Sequence, residues 1–279
     1  MNTITKIVLG TVQFGCQYGI NSAGRPNQEG VSSILDYANE EGIQTLDTSS
    51  AYGNAEEVLG AYLNENKLFK IVSKYPRGIV PVDEKFNESL RKLKTAALYG
   101  YLLHHFEVYR NNPDVWNDFV RLREKGLAQK IGFSLYQPEE LELLIKNKVD
   151  FNLLQIPYNL FDRKFEPYLE KLHGKGVEIH VRSTFLQGLF FKDRNTFPEK
   201  LLPLRPYLEE LDKVSCASGL SISQLALNFN LQNPFIDGVL IGVDNVEQLK
   251  ENIAAVSDQY IDIDIVVKEK ELLNPVNWN

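Results

Sequence analysis

Short apolar runs rich in β-branched residues recur along the chain, and between them lie longer stretches whose apolar positions fall at helical spacing. The runs occupy residues 6–9, 44–46, 70–73, 101–103, 130–133, 151–156, 177–181 and 239–241. Eight strands are expected from them. Between successive runs, Val31, Ile34, Leu35 and Ala38 share one helical face, as do Val58, Leu59, Tyr62 and Leu63. The same spacing joins Phe86, Leu90 and Leu93, then Val115, Phe119 and Leu122, then Leu141, Leu144 and Ile145. Pro138 followed by Glu139 and Glu140 suits a helix start, where a missing N–H costs nothing and the helix dipole favours acid. Gly42, Gly126 and Gly174 or Gly176 suit helix ends, where a left-handed residue closes the last turn.

Strand and helix alternate strictly, which implies parallel strands joined by crossover helices, and eight such units close more naturally into a (β/α)8 TIM barrel than into an open sheet. The pattern loosens between the seventh and eighth runs. A long segment at about 188–232, with Pro198, Pro203 and Pro206, reads as an irregular loop followed by helices over 207–218 and 223–231. Such an insertion lies on the barrel face where active sites sit. No internal repeat, linker or low-complexity tract interrupts the chain, so residues 1–279 read as one domain.

Composition narrows the function classes. With 30 Lys+Arg against 37 Asp+Glu the net charge is −7, and no basic cluster stands ready to neutralise phosphates, which disfavours nucleic acid as a partner. The two cysteines, Cys16 and Cys216, have no CxxC spacing, so neither a disulfide scaffold nor a structural zinc site is expected. The first residues lack the apolar core of a signal peptide, and no run approaches the ~18 apolar residues of a membrane helix. A soluble cytoplasmic protein with a small-molecule partner and no membrane association is the expectation; oligomeric state is not legible in the pattern.

In a parallel barrel the informative residues are those at the C-terminal ends of strands. Here these are Asp47, Lys74, His104 and His105, Ser134, and Gln155 with Asn159. Taken singly, each has an ordinary explanation as a helix cap, a solvated lysine or a structural histidine. Their neighbourhood changes the weighing. The stretch LDTSSAYGNAE at 46–56 resembles the DT(A/S)xxYGxxE signature of the aldo-keto reductases. Further pieces match in order: Leu9-Gly10-Thr11, Ser73-Lys74, Ser89-Leu90 through Leu93 and Thr95 to His104, Ile131-Gly132-Phe133-Ser134, Gln155-Ile156-Pro157-Tyr158-Asn159, and Glu251-Asn252.

The resemblance implies a (β/α)8 barrel that reduces carbonyls with NAD(P)H, and its catalytic tetrad falls on Asp47, Tyr52, Lys74 and His104. The chemistry is coherent with those residue types. A hydride delivered to a carbonyl carbon leaves an alkoxide that must be protonated as it forms, and Tyr52 can supply that proton. A free phenol has a pKa near ~10. A Lys74 ammonium beside it is expected to lower that value, Asp47 to hold the ammonium, and His104 to orient the carbonyl oxygen. The resemblance also assigns cofactor contacts to Gly10, Thr11, Asp47, Ser134, Gln155, Arg182, Ser183, Phe185, Gln187, Gly188, Gly242, Gln248 and Asn252. Substrate contacts are expected at Phe14, Tyr75 and His105. Because neighbouring side chains on a strand point to opposite faces, only one of His104 and His105 should face the mouth in the same way. Adjacent histidines without further ligands make no metal site, and none is expected.

The chain departs from the family pattern in three places. Leu135 and Tyr136 follow Ser134 where an Asn is usual, and Arg182 stands where many relatives carry a tyrosine that stacks on nicotinamide. A guanidinium plane can stack as well. Gly242 and Gln248 take the places of a Lys and an Arg that hold the phosphorylated cofactor in many relatives, and Asp244 between them is expected to cap the last helix. Relatives with a glycine at that place still resemble phosphate-cofactor enzymes, so NADP(H) is expected, with NAD(H) as the alternative. The substrate is expected to be an aldehyde, ketone or sugar-derived carbonyl. Two rivals stand beside this reading: an NADP(H)-binding regulatory or interaction subunit without turnover, and a non-redox sugar epimerase or lyase.

Overall fold

The computed structural model describes residues 3–22, 24–63, 69–78, 80–259 and 262–278. Eight parallel strands close in chain order: β1 (Ile7–Gly10), β2 (Thr45–Asp47), β3 (Lys70–Tyr75), β4 (Leu98–Leu103), β5 (Ala128–Ser134), β6 (Leu153–Pro157), β7 (Glu178–Arg182) and β8 (Gly238–Gly242). Closure is visible in the register, where Gly10 of β1 pairs with Asp47 of β2 on one side and Gly242 of β8 on the other. The chain is a single-domain (β/α)8 barrel.

Helices Gln28–Glu40, Ala55–Leu63, Val82–Leu93, Val115–Glu124, Pro138–Lys146, Glu166–His173, Ile222–Leu231 and Val246–Ala254 occupy the crossovers and the segment after β8. Their apolar faces pack on the outside of the barrel because parallel strands are apolar on both sides. Within that layer an aromatic stack runs across β4 and β5: Tyr101 lies on Phe119 with ring centroids 5.3 Å apart, and Trp116 lies on Phe133 at 4.3 Å. The barrel interior is narrower, with Val72, Leu102 and Leu153 in contact. Gly132 lets β5 and β6 approach there, since a Cβ at that position would sit 1.6 Å from the Leu153 carbonyl oxygen.

The segment after β7 begins as 3-10 turns (Leu186–Phe191, Arg194–Thr196, Glu199–Leu204) and continues into an added helix, Arg205–Ser218, before the crossover helix Ile222–Leu231. Short helices also follow β1 (Val12–Gly15) and β4 (Phe106–Asn111). A final extended stretch, not anticipated from the sequence pattern, buries Ile263, Ile265 and Val267. Among the described residues no helix is long and apolar enough to cross a membrane.

Candidate active site

At the C-terminal end of the barrel the last residues of β2 and the inner part of β3 bring two opposite charges together in the interior. Lys74 Nζ lies 2.5 Å from Asp47 Oδ1 and donates to the Thr48 carbonyl at 2.9 Å, and Lys74 is completely buried. The second Asp47 oxygen accepts from Gln155 Nε2 at 2.8 Å. A buried ion pair persists only when its remaining donors and acceptors are met, as they are here. Thr11 adds to the frame, its hydroxyl donating to the Asp47 carbonyl at 3.0 Å.

Tyr52 sits in the turn between β2 and the next helix, its hydroxyl 3.5 Å from Lys74 Nζ. The turn is pressed against the short helix after β1. A Cβ at Gly15 would lie 1.7 Å from the Tyr52 carbonyl oxygen, and Gly53 adopts a φ of 56° 2.5 Å from the Gly15 oxygen, as measured from its ideal Cβ. Both glycines are therefore required by this contact. Burial first, and the Asp47 charge second, push the Tyr52 phenol well above its ordinary value. Burial outweighs the lowering expected from Lys74, whose ammonium faces Asp47 and Thr48 more closely than it faces the phenol. Burial also lowers Lys74, with Asp47 opposing. Tyr52 is thus a neutral phenol, the protonation state a proton donor needs.

His104 follows β4, its ring edge-on to Tyr52 at 5.8 Å between centroids. Ser49 Oγ lies 3.2 Å from His104 Nδ1 and also accepts from the Ala51 N–H at 3.1 Å. The serine hydroxyl keeps a second lone pair, so the contact itself is compatible with either His104 tautomer; a donor at Nε2 requires Ser49 to donate to Nδ1. Burial holds His104 well below the ordinary histidine range, and the neighbouring Lys74, His105 and Arg182 charges push the same way. Ser49 was not singled out in the sequence; it lies inside the matched signature, but nothing about a lone serine there marks it as the partner of His104.

The alternation argument for His104 and His105 does not hold. β4 ends at Leu103, so the strand rule no longer applies, and the two rings stack at 4.6 Å with an interplanar angle of 27°. Two other substrate assignments are corrected. Phe14 is fully buried in the core, and Tyr75 is buried with its hydroxyl donating to the Val80 carbonyl at 2.6 Å and its ring against Phe119. Neither side chain reaches the mouth. Tyr18 and Phe191, both exposed, do line the opening.

From Tyr52 a groove of about 410 Å³ runs to the helix Val246–Ala254. That volume is within the range of small-molecule sites. Of the sequence-predicted cofactor residues, Gly10, Thr11, Asp47, Gln155, Arg182, Ser183, Phe185, Gln187, Gly188, Gly242, Gln248 and Asn252 line it. Ser134 is buried at the end of β5, paired in register with Gln155, and is not part of the wall. Arg182 is held by the Leu135 carbonyl at 3.0 Å and lies 4.0 Å over the Tyr136 ring, so the two residues that depart from the family pattern after Ser134 are the ones that fix the arginine.

The loop after β7 carries backbone strain. Ser183, Leu186 and Gln187 have φ between 46° and 64°, a region that side-chain-bearing residues seldom adopt and that gathers at ligand sites. Across the groove this loop is tied to the one after β1, through Gln187 Nε2 to Tyr18 at 2.7 Å and Asn21 Nδ2 to the Gly188 carbonyl at 2.7 Å. The expected capping role of Asp244 is corrected: the residue that caps the last helix is Asn245, which accepts from the Gln248 N–H.

Residues 6–268 match the family model described as Aldo/keto reductase family. The oxidoreductase YqkF of Bacillus subtilis is 27% identical over 249 residues, covering 80% of this chain and 81% of its own length. The L-glyceraldehyde 3-phosphate reductase of Escherichia coli K12 is 27% identical over 275 residues, covering 82% and 80%. Among solved structures, the holo form of an aldo-keto reductase from Bacillus halodurans superimposes with a TM-score of 0.75 at 21% identity, over 92% of this chain and 88% of that one.

Proposed function

The chain belongs to the aldo/keto reductase family and is an NAD(P)-dependent oxidoreductase, and from that premise we propose that Tyr52 is the proton donor in the reduction of an aldehyde, ketone or sugar-derived carbonyl. One observation carries this reading: a neutral, partly buried phenol stands beside an ammonium and an imidazole ring and lines a groove of small-molecule size. The groove suits such a group. It is lined at two strand ends by Gly10 and Gly242, and the buried Gln13 Oε1 on its wall has no hydrogen-bond partner among the described residues. When bound, a reduced nicotinamide supplies the hydride.

The chain's own residues do the rest. In this reading a carbonyl oxygen accepts from the Tyr52 hydroxyl and from His104 Nε2–H, with Ser49 donating to Nδ1; this polarises the carbonyl and fixes its face. As negative charge grows on that oxygen, Tyr52 gives up its proton. The phenolate left behind is stabilised by Lys74, whose ammonium Asp47 and the Thr48 carbonyl hold in place. Asp47 thereby acts through Lys74, and Gln155 through Asp47. The wall offers aromatic residues at the opening, Tyr18 and Phe191 with Phe185 behind, which suits an uncharged carbonyl or sugar face. Between the two cofactors, the sequence favours NADP(H) through the glycine at 242, with NAD(H) as the alternative.

A screen of aldehydes, ketones and sugars with both reduced cofactors, read by nicotinamide absorbance, tests the proposal. Turnover is expected, and Tyr52→Phe should lower kcat by roughly 10²–10⁴ while leaving cofactor affinity within about twofold, since the hydroxyl acts in the chemical step. Tight cofactor binding with no turnover of any carbonyl would support a binding subunit instead. Product formed without cofactor would support a non-redox sugar enzyme.

A further inference from the structure

The groove has two chemically different ends. Proton donation by Tyr52 requires the redox ring beside it, so the adenosine half of a dinucleotide extends to the other end, where Ser22, Asp244, Gln248, Glu251 and Asn252 form the wall. This placement rests on the reading of the groove as a nicotinamide dinucleotide site. Arg182 is the one Lys or Arg among the described residues that line the groove, and it is fastened at the Tyr52 end by Leu135 and Tyr136. The far end carries two carboxylates, Asp244 and Glu251. Asp244 Oδ1 accepts from Ser22 Oγ at 3.3 Å, and its N–H donates to Gln248 Oε1 at 2.8 Å. Gln248, in the place of an arginine, is therefore turned back to its own backbone.

A second feature points the same way. The Gln13 amide fills the space beside Gly242, where a Cβ would lie 2.5 Å from Gln13 Nε2 and 2.7 Å from Oε1, so a lysine at 242 and Gln13 as it stands exclude one another. Gln13 Oε1 is buried in the wall without a partner among the described residues. Beside the amide N–H donors of Gln13, Gln248 and Asn252, the wall presents acceptor oxygens at Asp244, Glu251 and Gln13. A ribose hydroxyl can donate to them, whereas a 2′-phosphate brings close to two negative charges near neutral pH and only acceptor oxygens.

We propose that this protein selects NAD(H) over NADP(H), with the Asp244 carboxylate receiving an adenosine ribose hydroxyl and repelling a 2′-phosphate. This reverses the preference read from the sequence, which rested on the glycine at 242 alone; the glycine makes room for Gln13, not for a phosphate.

Calorimetric titration of the purified protein with NADH and with NADPH reads both affinities without turnover. NADH should bind at least ~10-fold more tightly, the order of magnitude that one nearby like charge imposes at a protein surface. The variant Asp244→Asn should close most of that gap, chiefly by tighter NADPH binding. Equal affinities, or tighter NADPH, in the unaltered protein overturn the proposal, as does a ratio that Asp244→Asn leaves unmoved. If neither dinucleotide binds, the dinucleotide reading of the groove falls and this inference falls with it.

Discussion

A tyrosine, a lysine, a histidine and a carboxylate are gathered at both ends of the barrel. At the mouth they are Tyr52, Lys74, Asp47 and His104; at the opposite end, near the strand starts, they are Tyr99, Lys130, Glu178 and His180. In the lower cluster every partner converges on one carboxylate. Lys130 Nζ lies 2.5 Å from Glu178 Oε2, Tyr99 donates to the same oxygen at 2.6 Å, and His180 Nε2 lies 2.8 Å from Oε1. The phenol's proton is thus already committed. In the upper cluster the carboxylate takes Lys74 and Gln155 among the described side chains, the phenol stays 3.5 Å from the ammonium, and the histidine meets a serine. A tyrosine, a lysine, an acid and a histidine make structure when they satisfy one another, and make a proton donor when one hydroxyl is left facing a groove.

The largest expected effect comes from breaking the ion pair at each end. Lys74→Met leaves Asp47 buried with Gln155 alone and should cost about 3–5 kcal/mol, because one partner of a buried pair is stranded in low dielectric. Lys130→Met should cost only about 1–2 kcal/mol, since its side chain is 26% exposed and Glu178 keeps Tyr99 and His180. Denaturant unfolding of the two variants measures the difference. Equal losses would mean that the two clusters are energetically alike and that the mouth is no more enclosed than the base.

Next in size is the response to acid, where the two ends should yield in sequence. His104 is held well below the ordinary histidine range, so the folded state favours the neutral ring. Its contribution is complete above the unfolded value near ~6.5 and is lost as pH falls below it, by at most about 1.4 kcal/mol per pH unit. Glu178 is opposite in charge type but alike in sign: burial would raise it, yet the His180, Lys130 and Tyr99 hydrogen bonds hold it at about 2. Its contribution is complete above ~4.5 and is lost only as pH falls from there toward about 2. Thermal unfolding should therefore show a first loss of stability between pH 6.5 and 5 that His104→Gln reduces, with His105 acting in the same sense, and a second below pH 4.5 that Glu178→Gln reduces, with Glu88 acting in the same sense. A His104→Gln profile that runs parallel to the unaltered protein would contradict the first assignment.

This contrast also marks what a sequence can carry. The eight strands were legible because buried parallel strands read as β-branched runs. Their C-terminal ends were not: β1, β2, β5, β6, β7 and β8 each run one residue past the apolar pattern, and β3 two, to Gly10, Asp47, Ser134, Pro157, Arg182, Gly242 and Tyr75. At Gly10, Asp47, Arg182 and Gly242 the hydrogen-bonded ladder continues while the side chain turns polar or vanishes at the groove, so pattern and ladder part company there. Phe14 and Tyr75 were misplaced because an aromatic near a strand end looks the same whether it turns toward the mouth or into the outer core. Ser49 and Gln13 left no trace, since their roles depend on groups far away in the chain, His104 and Gly242. The lower cluster was equally invisible, being made of residues that are unremarkable one by one.

The smallest expected effect is the sharpest test of the comparison. Tyr99→Phe removes one hydrogen bond to Glu178 and nothing else, because the ring remains between Lys70 and Lys130, 5.1 and 5.9 Å from its centroid. The cost in stability should be about 0.5–1.5 kcal/mol, the ordinary worth of one such bond, and somewhat toward the upper figure because the acceptor is charged. Turnover should not change, since the hydroxyl lies at the strand starts, away from the groove. Tyr52→Phe should do the reverse, leaving stability within about 1 kcal/mol because its hydroxyl has only the long contact to Lys74, while kcat collapses. Measured side by side, the two substitutions delete the same atom from the same residue type at opposite ends of one barrel. If Tyr99→Phe lowered kcat as Tyr52→Phe does, the division between a self-satisfied cluster and a working one would have no physical basis.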